Sequence, residues 1–386
     1  MTDGDTPGLL ASGALTPGAL APGAGLACPA PADARRGLGE DAVVLLGHGA
    51  GGRLSEELLR GVLLPAMADG GEPATAAPIL EDAAVLPGGP AELVFSTDAF
   101  VVDPLFFPGG DIGSLAVHGT VNDVAMMGAE PFALALALIV EEGLPIPVLD
   151  RVARSVGRAA RAAGVRVVTG DTKVVGRGSA DGLYLTTTGL GRRLPGIRPS
   201  AAAARPGDEV LISGPIGLHG TTVLSTREGL GFEADIASDS RPLHTLVKAL
   251  AEAVPDAVRT LRDPTRGGVA ASLNEIARDS SAAAGRPVGI ELDESALPVP
   301  APVAAACEIL GLDVLHVANE GCLLAFVRPD RAADALAALR SAPGGAGAGA
   351  ARIGRVTDAG RVVLHTLLGS RRTVEMPTGE QLPRIC

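Results

Sequence analysis

Four aspartates of this sequence stand where strands or helices are expected to end. They are Asp82 in Glu81-Asp82-Ala83-Ala84-Val85, Asp98 in Ser96-Thr97-Asp98, Asp123 in Asn122-Asp123 and Asp171 in Gly170-Asp171-Thr172-Lys173. Hard carboxylate oxygens suit Mg2+, an ion that commonly bridges protein carboxylates and nucleotide phosphates. Lys173 could then neutralise phosphate charge during transfer. With Lys248 it is one of only two lysines in a chain of 32 Lys and Arg residues. The same aspartates could equally cap helices and close turns. Gly47-His48-Gly49-Ala50-Gly51-Gly52-Arg53 adds a glycine-rich turn ahead of a helix that begins near Ser55. Such glycines let the backbone approach a ligand, and amides at a helix start can receive phosphate. The spacing is neither a P-loop nor the dinucleotide fingerprint, and ordinary turn chemistry accounts for it as well.

The sequence ends on Cys386. Backbone near a terminus is commonly loose, and the stretch 366–380 mixes Gly, Arg, Thr and Pro, so it reads as a mobile arm. From Thr366 such an arm could span at most about 70 Å, at roughly 3.3–3.6 Å per residue. That reach would carry a thiol into a pocket on its own chain or to a partner. An incidental thiol at a frayed end is the alternative.

These side chains need elements to hold them. Leu93–Ser96 reads as a strand running into Thr97-Asp98, and Ile112–Met127 as a helix with Asn122-Asp123 in its second half. Phe132–Val140 alternates Leu and Ala as a buried strand does, Arg151–Ala163 reads as a helix, and Val165–Thr169 and Leu183–Thr188 as strands. Phe106–Asp111 reads as a turn. Residues 191–196 resemble an interdomain joint. Beyond it, Val210–Ser213, Val288–Leu292 and Leu323–Val327 read as strands, and Leu243–Val254, Val269–Arg278, Val299–Leu310 and Asp330–Arg340 as helices. Gly214–Gly220 reads as a second glycine-rich turn. Strands and helices alternate in both halves, so the expected class is α/β or α+β. The expected organisation is a low-complexity, disordered extension over 1–39, an N-terminal domain over 40–196, a C-terminal domain over 197–365 and the arm over 366–386.

Bulk properties exclude several classes. Two domains suit 386 residues better than one. A hydrophobic content of 47% supplies real cores, built from Ala, Val and Leu because Trp is absent. A net charge of −12 argues against a nucleic-acid footprint and against an anionic membrane surface. The apolar run Phe132–Val140 is too short to span a bilayer, and Met1–Leu10 lacks the basic start of a secretory signal. Four cysteines without paired spacing suit a reducing cytoplasm. Cys307 and Cys322 read as small core side chains. His48, His118, His219 and His244 show no metal-ligand spacing.

Several words occur in order: Gly47-His48-Gly49, Glu81-Asp82-Ala83-Ala84-Val85, Ser96-Thr97-Asp98, Asn122-Asp123-Val124-Ala125-Met126-Met127-Gly128-Ala129, Gly170-Asp171-Thr172-Lys173 and Asp263-Pro264-Thr265-Arg266-Gly267-Gly268. Together they resemble the aminoimidazole ribonucleotide synthetase-like ATP-binding superfamily. Within it, Phe106–Asp111 and Pro383-Arg384-Ile385-Cys386 resemble the HypE family of nickel–iron hydrogenase maturation factors. The resemblance runs from about residue 40 to Cys386. It implies two α/β domains, a homodimer in which strands of the N-terminal domains pair across the interface, and ATP held between the domains. It also implies a carbamoyl dehydratase. Cys386 would receive a carbamoyl group from HypF, ATP would drive loss of water to leave a thiocyanate, and the cyanide would pass to iron on a HypC–HypD scaffold.

The resemblance also distributes roles. Cys386 is the carrier, Glu275 the candidate base, and Lys173 a phosphate stabiliser or proton relay. Asp82, Asp98, Asp123 and Asp171 become Mg2+–ATP ligands, His48, Gly49, Gly51 and Gly52 cover phosphates, and Asn122 and Arg266 add polar contacts. Apart from the resemblance, Glu275 reads as part of a solvated helix face. Two other functions stay open: a sister enzyme phosphorylating a free small substrate, and a non-catalytic assembly module whose tail docks to partners.

Overall fold

The computed structural model describes residues 52–63, 81–88, 91–230, 236–379, 382 and 384–386. The 1–39 extension, His48, Gly49 and Gly51 lie outside the described residues. The N-terminal half holds α1 (Gly52–Leu58), β1 (Ala84–Gly88), β2 (Ala91–Phe100), a hairpin of β3 (Phe106–Phe107) and β4 (Gly110–Asp111), α2 (Ile112–Met126), β5 (Ala129–Glu141), α3 (Ile146–Ala162), β6 (Arg166–Val175) and β7 (Leu183–Arg193). Five strands form one sheet in the order β1-β2-β7-β5-β6, antiparallel except where β5 and β6 run parallel. That parallel step needs a crossover, and α3 supplies it.

Burial along β7 alternates residue by residue from Leu183. This is the period of a strand with one covered face. The cover is α2, which begins on a capping box between Asp111 and Ser114. It is apolar nearly all round because it is enclosed on both sides. On α3, by contrast, Val152, Val156, Ala159 and Ala160 are buried while Arg151, Arg154 and Arg161 lie in solvent. This helix starts at Ile146, ahead of the expected Arg151, because Pro147 is well suited to a first helical turn. β6 runs through the Gly-Asp-Thr-Lys word instead of stopping before it.

The C-terminal half comprises β8 (Glu209–Ile212), α4 (Leu218–Arg227), α5 (His244–Ala253), β9 (Val258–Arg262), α6 (Gly268–Ala284), β10 (Gly289–Asp293), α7 (Ala301–Leu310), β11 (Leu324–Val327), α8 (Ala332–Arg340), β12 (Ala351–Thr357), β13 (Val362–His365) and β14 (Arg371–Thr373). Its seven-stranded sheet has the order β14-β13-β10-β12-β8-β11-β9. One face packs on Val269, Leu273 and Ile276 of α6. The other packs on Leu246, Val247 and Leu250 of α5 and on Ala335 and Leu339 of α8. The fold is therefore mixed α/β in two domains. Among the described residues no helix is long and apolar enough to cross a membrane.

A further cluster bridges the halves. Phe100, Val102, Ile112 and Leu115 of the N-terminal half meet Val223, Val303 and Cys307 of the C-terminal half, and Leu382 and Ile385 complete it. The stretch expected to form an arm from Thr366 is exposed over 367–373 and is anchored at a few points. β14 pairs with β13, Val374 is buried, and Asn274 Nδ2 donates to its carbonyl at 3.0 Å. The alternating Arg-Thr-Val stretch supplies a strand edge and one apolar anchor, which the loop-like composition hid.

Candidate active site

Asp82, Asp98 and Asp123 come together. Val94, Ser96 and Phe100 on β2 point towards the helices and are buried, and Asp98 shares their parity. Asp123 rises from α2 to meet them, and Ser96 Oγ donates to Asp123 Oδ2 at 2.7 Å and to the Asp82 carbonyl at 3.2 Å. The C-terminal half adds a fourth carboxylate that the sequence reading had not picked out. Asp263 follows β9 directly, and carboxylate oxygens of Asp82, Asp123 and Asp263 lie within 4.8 Å of one another.

Arg262, also unforeseen, ties the halves together. Its Nη1 lies 2.8 Å from Asp82 Oδ1, and its Nη2 lies 2.9 Å from Glu275 Oε2 on α6. Glu275 therefore faces the cleft as part of an ion-pair chain. Burial works against the Arg262 charge, but Asp82 and Glu275 outweigh it and hold the guanidinium above its ordinary range.

The cluster carries an excess of negative charge away from water. Burial pushes the Asp123 carboxyl well above the usual aspartate range, with Asp98 and Asp263 adding to the effect. Burial raises Asp263 to about 6 and raises Asp98 against the pull of Arg266. Burial also lifts buried Glu320 well above its usual range, with Asp263 and Asp98 contributing. Carboxylates in this condition need a proton or a cation. Asp263 Oδ2 is buried with no hydrogen-bond partner among the described residues. A hard divalent cation fits this set: three converging carboxylates and one orphaned buried oxygen.

Arg266 lies on the 263–267 turn, where Gly267 and Gly268 both adopt left-handed backbone. A Cβ on Gly268 would sit 2.6 Å from the carbonyl oxygens of Leu315 and Val317, so only glycine lets the turn approach so closely. Interaction with Cys386 is the foremost cause holding the Arg266 guanidinium above its ordinary range, with Asp98, Glu320 and Asp123 contributing. Val101 N donates to the Cys386 carbonyl at 3.0 Å, which seats this residue just beyond the end of β2, three positions from Asp98.

Other anticipated residues fall elsewhere. Asn122 is fully buried. Its Oδ1 accepts from Leu243 N at 2.8 Å, and its Nδ2 donates to the Arg241 carbonyl at 3.1 Å and, more weakly, to that of Glu320 at 3.5 Å. These three hydrogen bonds all go to backbone, so the amide ties residues 241–243 and 320 to α2. Gly52 fits against the Pro377 carbonyl, which a Cβ would meet at 2.5 Å.

Asp171 and Lys173 stand apart from the cluster within one chain. Asp98, Thr187, Leu136 and Gly170 lie in one row across β2, β7, β5 and β6. Asp171 and Lys173 are each displaced from Gly170 by an odd number of residues and so point from the opposite face. Three strand spacings put the rows' ends about 14 Å apart. Lys173 Nζ lies 2.7 Å from Asp171 Oδ2, both largely exposed.

The chain is one of the AIR synthase related proteins. The sequence matches their N-terminal domain over residues 80–193 and their C-terminal domain over residues 205–366. Carbamoyl dehydratase HypE of Azotobacter vinelandii is 56% identical over 299 residues, covering 77% of this chain and 85% of that protein. Among solved structures, a HypE–HypF complex superposes with a TM-score of 0.75 at 44% identity, covering 82% of this chain and 99% of that one. A HypE in complex with ATP does so with a TM-score of 0.72 at 48% identity, covering 89% and 100%. The chain belongs to the HypE family.

Proposed function

We propose that this chain is an ATP-dependent carbamoyl dehydratase acting on a carbamoyl group carried by its own Cys386, in the cytoplasm. One observation carries the reading: Val101 N and Asp103 N donate to the carbonyls of Cys386 and Arg384, which seats the segment 384–386 on the backbone that continues β2 beyond Asp98. The relatives' names and their complexes with ATP and with HypF support the same reading.

The chemistry follows from the groups present. HypF supplies the carbamoyl group, leaving a sulfur–carbon bond to an amide. The amide oxygen is a poor leaving group, so it attacks the γ-phosphorus of ATP and ADP departs. The nitrogen gives up one proton as the carbon–nitrogen double bond forms. It gives up the second as phosphate leaves and the triple bond closes. Carbamoyl group and ATP thus become thiocyanate, ADP and phosphate, with the sulfur–carbon bond intact. The cyanide then passes to iron on HypC–HypD.

Glu275 is the candidate proton acceptor, oriented by Arg262. Arg266 offers positive charge beside the carbamoyl group. Asp82, Asp123 and Asp263, with Asp98 near them, would hold Mg2+, which when bound supplies charge neutralisation for the phosphates. Lys173 and Asp171 serve a second subunit's cleft in a homodimer formed through the uncovered sheet face.

Mass spectrometry of the peptide bearing Cys386 tests this, after incubation with HypF, carbamoyl phosphate and ATP. The expected result is a carbamoyl adduct that loses the mass of water only when ATP is present. An adduct that persists with ATP and Mg2+, or full turnover by Cys386→Ala on a free substrate, overturns it.

A further inference from the structure

One buried histidine has no part in the chemistry described above. His219 lies in the first turn of α4, fully buried, with Nε2 2.7 Å from the carbonyl oxygen of Ile385 and Nδ1 2.8 Å from Ser238 Oγ. A carbonyl oxygen only accepts, so Nε2 carries the hydrogen. Burial keeps the ring neutral by drawing its pKa down to about 4. Nδ1 is therefore the bare nitrogen and accepts from Ser238 Oγ. Ser238 Oγ in turn accepts from Ser240 N at 3.1 Å. This chain selects one tautomer and aims one N–H at the tail.

The rest of α4 is fitted to the same segment. At its last residue, Arg227 Nη2 donates to the Arg384 carbonyl at 2.7 Å and to the Asp103 carbonyl at 2.6 Å. Between the two, Gly220 leaves space for Leu382, whose Cδ1 would lie 3.0 Å from a Cβ there. Opposite α4, Val101 N donates to the Cys386 carbonyl at 3.0 Å and Asp103 N to the Arg384 carbonyl at 3.3 Å. The carbonyls of residues 384, 385 and 386 are thus all received, and two of them by α4 side chains.

We propose that α4 is a docking cradle for the cysteine-bearing tail, with His219 and Arg227 as positioning residues that hold the segment 384–386 against Val101 and Asp103. The proposal rests on the carrier role of Cys386. It adds the device that seats the tail on α4. The same device reaches the cleft. Asp239, next to Ser238, accepts from the backbone N–H groups of Glu320 and Gly321 at 3.1 and 2.9 Å. A change at Glu320 and a change in tail docking therefore share one strap, residues 238–241.

The test uses the full-length protein in three variants: His219→Met, which cannot donate; His219→Gln, whose amide nitrogen can replace Nε2; and Arg227→Met. The first readout is the rate of iodoacetamide alkylation of Cys386, followed on its peptide by mass spectrometry. Loss of one buried hydrogen bond predicts an increase of about fivefold in His219→Met and Arg227→Met, with His219→Gln near the parent. The second readout is the two half-reactions measured separately. Carbamoyl acceptance should be unchanged or faster, while dehydration of the loaded protein should fall about fivefold or more in both Met variants and recover in His219→Gln. Arg227→Met also serves as the second route should His219→Met fail to fold. Parental alkylation and dehydration in a folded Met variant would overturn the cradle. An absence of any carbamoyl adduct in the parent would instead overturn the carrier role, while alkylation would still judge the docking.

Discussion

Asp263 shows how much one residue's surroundings decide. Its carboxyl titrates near 6 because burial outweighs the pull of Arg262, whereas an unfolded aspartate titrates near about 3.9. The folded chain therefore holds this proton longer than the unfolded chain does. The stabilisation from the protonated form is complete below about pH 4 and is lost as pH rises towards 6. Mg2+ competes for the same oxygens and needs them ionised. In metal-free protein, the difference in Tm between Asp263→Asn and parent should grow in favour of the variant between pH 4 and pH 6. The Tm gain from Mg2+ should be larger at pH 8 than at pH 5.5 in the parent and nearly absent in the variant. Scanning calorimetry across this range checks both, and an equal Mg2+ gain in the two proteins would remove Asp263 from the metal site. Arg262 is the counterpart. Arg262→Met leaves Asp82 and Glu275 without their shared partner, a change that typically costs about 3–5 kcal/mol for a buried pair, readable by urea unfolding.

At the scale of elements, the 263–267 turn carries Arg266, and Gly268 lets the backbone that follows it approach the Leu315 and Val317 carbonyls. Gly268→Ala combines left-handed backbone strain, about 1–3 kcal/mol, with a clash against two carbonyls. Gly285, at the C-terminal end of α6, has a similar φ of +62° but nothing within 4 Å of its would-be Cβ. Gly285→Ala should therefore lose the smaller amount of stability, and Gly268→Ala should also weaken ATP binding in calorimetric titration; equal losses in the two would show that the close approach is unimportant. The sequence announced part of this. The Asp-Pro-Thr-Arg-Gly-Gly word marked the turn, and alternation along Phe132–Val140 and the long apolar run of α2 marked the elements carrying Asp123 and its neighbours. What stayed hidden depended on pairing. Val258–Arg262 carries two arginines among its five residues and lacks the apolar run of the other short strands, so Arg262 and the true neighbours of Asp263 are not legible without the fold. α4 begins with His-Gly-Thr-Thr, glycine and β-branched residues that disfavour a helix, and only packing under the tail settles its conformation. The parity of Asp171 against Asp98 could not be known before the register of β6 on β5 was.

At the scale of the whole molecule, the N-terminal sheet has one face under α2 and, among the described residues, the other bare. On the bare face and its edge Phe95 is 39% exposed and Ile139 41%, and along β6 every residue from Arg166 to Val174 is exposed. Among the described residues β6 is an edge strand, and its exposed Val167, Val168 and Val174 offer a template for pairing with another copy. Phe95→Glu should convert the protein to monomers in sedimentation velocity. A dimer would also resolve the separation of Lys173 from Glu275, and this can be decided without a structure. Lys173→Ala and Glu275→Gln chains are each expected to be inactive alone. If Lys173 serves the partner's cleft, a mixed dimer regains one intact cleft, built from Glu275 of one chain and Lys173 of the other. Random mixing makes half the dimers mixed, each with one working site of two, so conversion should recover to about one quarter of the parental level. If Lys173 serves its own chain, every cleft in the mixture lacks one group and nothing is recovered. Co-refolded or co-expressed mixtures, assayed for ATP-dependent loss of water from the carbamoylated Cys386 peptide, separate the two arrangements. The Phe95→Glu change placed in both chains should abolish the recovery, because the composite cleft exists only while the bare faces are together.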